Sequence, residues 1–150
     1  MTLIEQITND IKAAMKAKDK VALGALRGIK KELIEAGTAD GASGEVGEDE
    51  GVKIMQKMVK QRKDAAAIYV EQGREDLAEN ESAEIAVIAK YLPEQITGDE
   101  LEQMVAAIIK ESGASSIKEM GKVMGLASKE LSGKADGKEI ADLVKKLLNA

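Results

Sequence analysis

Residues 52–72 read VKIMQKMVKQRKDAAAIYVEQ and are followed by Gly73. At about 100° per residue, Ile54, Met55, Met58, Val59, Ala66 and Tyr69 fall on one face, with Lys53, Lys57 and Lys60 opposite. This is the pattern of a long amphipathic helix, and no proline interrupts it. One cation is out of place, because Arg62 falls near the centre of the apolar face. A guanidinium there needs a carboxylate or a ligand to offset its desolvation. An internal ion pair with an acid such as Glu84 or Asp76 is expected. Arg27, at the edge of the apolar face of the preceding helix, invites the same reading.

Working outward, Thr2 can cap a first helix whose Leu3, Ile4, Ile7, Ile11 and Met15 recur at helical spacing. Asp19 can cap a second, with Leu23, Leu26, Ile29, Leu33 and Ile34 as its apolar positions and Gly37 as its C-terminal stop. Residues 37–51, GTADGASGEVGEDEG, are glycine-rich and acidic and read as a mobile loop. They are not an EF-hand, since Glu45 stands where a calcium loop needs glycine. On the other side, Arg74–Glu84 is acidic, and Ala83–Leu92 is an apolar helix stopped by Pro93, the only proline. Pro93 marks the expected boundary between an N-terminal helical domain (1–93) and a small C-terminal one (94–150). In the latter, Thr97–Glu100, Ser116–Glu119 and Asp136–Glu139 read as capping boxes. Each precedes an apolar stripe: Leu101, Met104, Val105, Ile108 and Ile109; Ile117, Met120, Val123 and Met124; Ile140, Leu143, Val144 and Leu147. Gly113, Gly125 and Gly133 supply breaks, with a short turn near Leu126–Leu131 and three main helices in all.

Composition agrees with an all-α fold. Tyr69 and Tyr91 are the only aromatics, whereas hydrophobic residues make up 44% of the chain. Sheets draw on aromatic and β-branched residues, so the core is expected to be helices packed through Ala, Leu, Ile, Val and Met. The chain has no cysteine and no histidine. That excludes disulfides, thiol nucleophiles, His-based triads and zinc sites built on Cys or His. No apolar run approaches a membrane span, and Met1–Ile11 is too polar for a signal peptide. A cytoplasmic protein with no membrane partner is expected.

What remains is charge. The net charge is −5, yet residues 117–150 carry seven basic and five acidic groups, against fifteen and twenty-two in residues 1–116. In the run Met120–Lys138, MGKVMGLASKELSGKADGK, Lys122, Lys129, Lys134 and Lys138 are expected on or beside glycine turns. It is no Walker loop: Gly133 and Gly137 are separated by three residues where the pattern needs four, and Glu139 follows Lys138. Glycine lets a backbone approach a phosphate and lysine supplies the charge, while the helix opening at Asp136 offers backbone N–H groups. Without aromatics the contact would read shape and phosphate rather than bases. No cofactor or metal is implied. A buried lysine could serve as base or Schiff-base former, with Lys30 and Lys90 the nearest candidates, but snorkelling at a helix edge accounts for both. Met120, Val123 and Met124 could line a partner groove, although core packing is the commoner role at this spacing. Gly24/Gly28 and Gly121/Gly125 permit close helix contact.

The strings MKAKDK (15–20), LRGIKKELIEA (26–36), VKQRKDAAAIYVEQGREDLAENESAEIAVIAKYLPEQ (59–95), GASSIKEMGKVMG (113–125) and GKADGKEIADLVKKLL (133–148) resemble the YqeY family, also called the GatB/YqeY-domain family. The resemblance covers nearly the whole chain. It implies a two-part helical fold whose second part is similar to the tail of the GatB subunit of glutamine-dependent aspartyl/glutamyl-tRNA amidotransferase. That tail contacts tRNA, while ammonia generation and amide transfer occur elsewhere in the enzyme. The implied function is a noncatalytic tRNA-binding or amidotransferase-related accessory protein, with tRNA or a tRNA-modifying or aminoacylation-related protein as partner. The label the family carries, carbon–nitrogen ligase with glutamine as amido-N donor, is inherited, since this chain lacks an amidase nucleophile arrangement and a nucleotide loop. The matched positions for tRNA contact are Lys122, Lys134 and Lys138. The alternative is a protein–protein adaptor working through the N-terminal helices and the methionine-rich face.

Overall fold

The computed structural model describes residues 1–150 apart from Asp40, Ser43 and Ala150. Every regular element among the described residues is helical: α1 (Leu3–Ala17), α2 (Lys20–Thr38), α3 (Glu48–Glu71), α4 (Glu75–Ala89), α5 (Gly98–Ser112), a 3₁₀ turn (Ile117–Glu119), α6 (Met120–Glu130) and α7 (Gly137–Leu148). The protein is all-α, and it divides into two units, Met1–Leu92 and Pro93–Ala150.

In the first unit α2 is the hub, packing on α1, α3 and α4, while α3 and α4 lie against each other. Ile7 of α1, Ala25, Leu26, Ile29 and Leu33 of α2, Met55 and Met58 of α3 and Ile88 of α4 form the core. Local chemistry sets the helix starts. The Thr2 hydroxyl accepts from the Glu5 amide at 3.2 Å and the Glu5 carboxylate accepts from the Thr2 amide at 2.8 Å, a reciprocal capping box. The Asp19 carboxylate accepts from the Ala22 amide at 3.1 Å and opens α2. Between them Lys18 ends α1 in the left-handed region, at φ 57°. Below α4, the Tyr91 hydroxyl donates to the Asp10 carboxylate and ties the end of the unit to α1. Burial, reinforced by Asp10, holds that phenol well above its ordinary range.

Several boundaries differ from expectation, each for a physical reason. Gly37 is not a stop: α2 runs on to Thr38, and Gly37 is buried where a Cβ would lie 2.8 Å from the Gly44 carbonyl oxygen. The acidic end of the loop is helical. Glu48, Asp49 and Glu50 form the first turn of α3, where the positive end of the helix dipole favours carboxylates. Gly51 lies inside that helix because the Leu3 side chain fills the place of its Cβ, at 2.6 Å. The rest of the expected loop includes Asp40 and Ser43, which lie outside the described residues. The acidic run after Arg74 is not separate either, for α4 takes in both it and the apolar segment. Met15 and Ile34 are 54% and 44% exposed rather than core.

In the second unit Leu101, Val105 and Ile108 of α5, Val123 and Ala127 of α6, and Ile140, Val144 and Leu148 of α7 close a separate core with Leu131 and Ala135. Gly113 ends α5 with φ 73°, a backbone that favours glycine. Gly125 breaks nothing: α6 is continuous through it and absorbs the expected turn at Leu126–Leu131. Thr97 stands at the start of α5 without a side-chain cap bond.

Candidate nucleic-acid interface

The core of the second unit decides where its lysines point. With Val123, Ala127, Met120 and Met124 turned toward α5 and α7, the 100° rotation per residue leaves Lys122 and Lys129 on the opposite arc of α6. Gly121 and Gly125 lie on the same side, and nothing stands within 4 Å of where either Cβ would be. The outer arc of α6 therefore presents two open glycine positions beside two cations, with the 38% exposed Leu126 at its edge. The continuity of α6 through Gly125 creates this arc.

Lys134 lies in the turn between α6 and α7. That turn is fixed from beneath: the Lys134 carbonyl accepts from the Ile96 amide at 2.7 Å, and the Gly133 carbonyl from the Gln95 side-chain amide at 2.8 Å. Lys138 sits in the first turn of α7. All four lysines are exposed, and among the described residues none is in an ion pair.

One part of the expected grip is absent. The start of α7 is not an open anion site, because the Asp136 carboxylate accepts from the Glu139 amide at 3.3 Å and places negative charge there. Glu119 likewise stays ionised ahead of Lys122. It accepts from the Ser115 and Ser116 amides at 2.6 and 3.3 Å, and those bonds, with a smaller contribution from Lys122, hold its pKa below the ordinary 4.5. The arrangement offers lysines and open glycine positions, not a helix-dipole pocket.

Arg62 and Arg27 part company. Arg62 Nε lies 3.0 Å from Glu84 Oε2, with both side chains 20% exposed, and its guanidinium also donates to the Met58 carbonyl at 3.3 Å. Asp76 is taken instead by Arg74, in a two-pronged contact at 3.1 Å. Arg27 corrects the expectation of a second structural pair. It is exposed, and no ion pair holds it among the described residues, because water solvates a charge on the outer arc of α2. Met120 and Met124 are half-buried against the core, and Val123 is fully buried, so they form no groove. Lys90 is exposed and Lys30 half-buried. Among the described residues no cluster of His, Cys, Asp or Glu could hold a metal ion. None of their helices is long and apolar enough to cross a membrane. Dividing the charge at residue 117 also conceals a larger excess of lysine and arginine in residues 12–31, which a sliding count of charge would have found.

The chain belongs to the family described as Yqey-like protein, whose model matches residues 4–148. Among curated proteins it is similar to three fungal proteins, each named altered inheritance of mitochondria protein 41, mitochondrial. The one from Clavispora lusitaniae is 38% identical over 90 residues, covering 60% of this chain and 51% of the relative. That from Pyrenophora tritici-repentis is 26% identical over 159 positions, covering 99% and 82%. That from Kluyveromyces lactis is 33% identical over 88 residues, covering 59% and 47%. The matched part spans about half the length of the first and third of these relatives. Their names overturn the expectation of a plain cytoplasmic protein, since each is called mitochondrial. The cytoplasmic expectation rested on the lack of a membrane-length apolar run and on the polarity of Met1–Ile11, and neither distinguishes one aqueous compartment from another.

Proposed function

We propose that this protein is a noncatalytic RNA-contacting accessory whose second unit grips the phosphate backbone of tRNA through Lys122, Lys129, Lys134 and Lys138. The observation that carries the reading is that these four exposed lysines stand without an ion pair among the described residues on a unit otherwise rich in acids. Backbone contact needs point charges and close approach, and the Gly121–Gly125 surface of α6 supplies the second. Base reading needs stacking side chains, and the unit has no aromatic residue at all. The resemblance to the GatB tail supports tRNA over other RNA. On this reading the ligase label is inherited from the family and is not exercised by this chain.

The test is binding of total tRNA by the full chain, with mitochondrial tRNA included because the relatives are named mitochondrial. Replacing the four lysines with alanine is expected to weaken binding by tenfold or more at about 0.1 M salt, by removing up to four phosphate contacts. Unchanged binding by that variant would remove the second unit from the interface. A glutamine- and ATP-dependent amidation of mischarged tRNA by the chain alone would overturn the noncatalytic reading.

The adaptor reading keeps one observation in its favour. Ile68 and Val70, at the end of α3, are 52% and 58% exposed. A protein partner retained after nuclease treatment and lost with Ile68→Ser/Val70→Ser would favour it.

A further inference from the structure

The strongest concentration of positive charge in this acidic protein is not in the second unit. Residues 12–31 hold seven basic side chains (Lys12, Lys16, Lys18, Lys20, Arg27, Lys30 and Lys31) and a single acid, Asp19. That acid is occupied as the cap of α2. All of the seven but the half-buried Lys30 are exposed. Among the described residues Lys31 alone of them is in an ion pair, a loose one with Glu35 at 3.8 Å.

The helices place these charges outward. On α1, Lys12 and Lys16 stand one turn apart, on the arc opposite the buried Ile7 and Ala14. On α2, Lys20, Arg27 and Lys31 follow the arc opposite the buried Ala25, Leu26, Ile29 and Leu33. At about 1.5 Å per residue that line is roughly 16 Å long. Lys18 projects from the turn between them in the left-handed conformation, and no other non-glycine residue takes it among the described residues. Glycine is the residue that fits such a helix end without strain. Lysine there is held against local preference, at the centre of a cationic corner.

We infer that the α1–α2 corner is a second binding surface for an RNA phosphate backbone, separate from the lysines of α6 and α7. The α2 line is long enough to meet several successive phosphates of a nucleic-acid strand. An anionic membrane fits less well. A helix lying in a membrane interface buries its apolar face in lipid and turns its lysines to water. Here the apolar faces of α1 and α2 are spent in the protein core, leaving Met15 and Ile34 as the exposed large apolar side chains of the two helices. The inference adds a site to the proposed tRNA reading and does not depend on the second unit.

The full chain is titrated with tRNA in three forms: unaltered, Lys12/Lys16/Lys18/Lys20→Ala, and Lys122/Lys129/Lys134/Lys138→Ala. The first variant is expected to bind at least tenfold more weakly and to lose about three to four from the slope of log affinity against log salt. The same four positions changed to arginine retain binding, and circular dichroism shows both variants folded. Lys18→Gly is expected to raise the melting temperature while weakening binding. If the first variant binds as the unaltered chain does, the corner is no RNA site and the reading of the second unit stands alone. If only the second variant binds unchanged, the α6–α7 reading fails and the corner remains. Binding to vesicles of anionic phospholipid that depends on the corner lysines, with no tRNA binding, would overturn the inference in favour of a membrane.

Discussion

Single side chains set both the helix ends and the charge balance of the candidate interface. Glu119 shows how the two are joined. Its carboxylate closes the turn before α6 by accepting from the Ser115 and Ser116 amides, so its folded pKa lies below the ordinary 4.5. A depressed carboxylate pKa contributes stability that is present above the unfolded value and lost as pH falls through the folded one. Glu119→Gln is therefore expected to melt below the unaltered protein at pH 7, with the two curves converging toward pH 3. A difference of equal size at both pH values would contradict the assignment. Arg62 illustrates the other use of charge. Its pair with Glu84 joins α3 to α4 beside α2, where a Cβ added at Gly28 or Gly24 would make ordinary van der Waals contact, 3.5 Å from Arg62 Nη2 and from Glu84 Oε1 respectively.

At the scale of elements, α6 carries the proposal, and its two open glycines are its cost. Glycine inside a helix is less stable than alanine by about 0.5–1 kcal/mol, and nothing nearby occupies the space that a methyl group would fill. Gly121→Ala/Gly125→Ala is expected to raise the melting temperature by several degrees and to weaken tRNA binding by removing the close approach. A lower melting temperature, or tighter binding, would show that the glycines serve another purpose. Glycine was also the residue the sequence explained least. Thr2 and Asp19 were legible as caps because donor and acceptor lie three positions apart in the chain. Gly37 and Gly51 looked like loop punctuation because their partners, Gly44 and Leu3, come from other segments. Glu48–Glu50 suffered the same confusion, since an acidic first turn and an acidic loop have one composition. The four lysines of the proposed interface could be named as charge in the sequence. Their exposure, and the shared arc of Lys122 and Lys129, followed only from the unbroken α6 and its core.

For the whole molecule the picture is two helical units with separate cores, each bearing exposed lysines, in a chain of net charge −5. Acidic bulk suppresses indiscriminate binding to polyanions, so attraction has to come from local patches. The chain belongs to the Yqey-like family, and the curated relatives it is similar to are named mitochondrial. The proposed grip on RNA backbone would be electrostatic, and salt is the variable that tests it. The decisive measurement is the affinity of the full chain for tRNA across about 50–200 mM salt. Counterion release predicts a straight fall of log affinity with log salt, with a slope of about −3 or steeper for four or more phosphate contacts. The account predicts that slope and its reduction in the lysine variants. Affinity that does not change with salt, or no binding at the low-salt end, would contradict it.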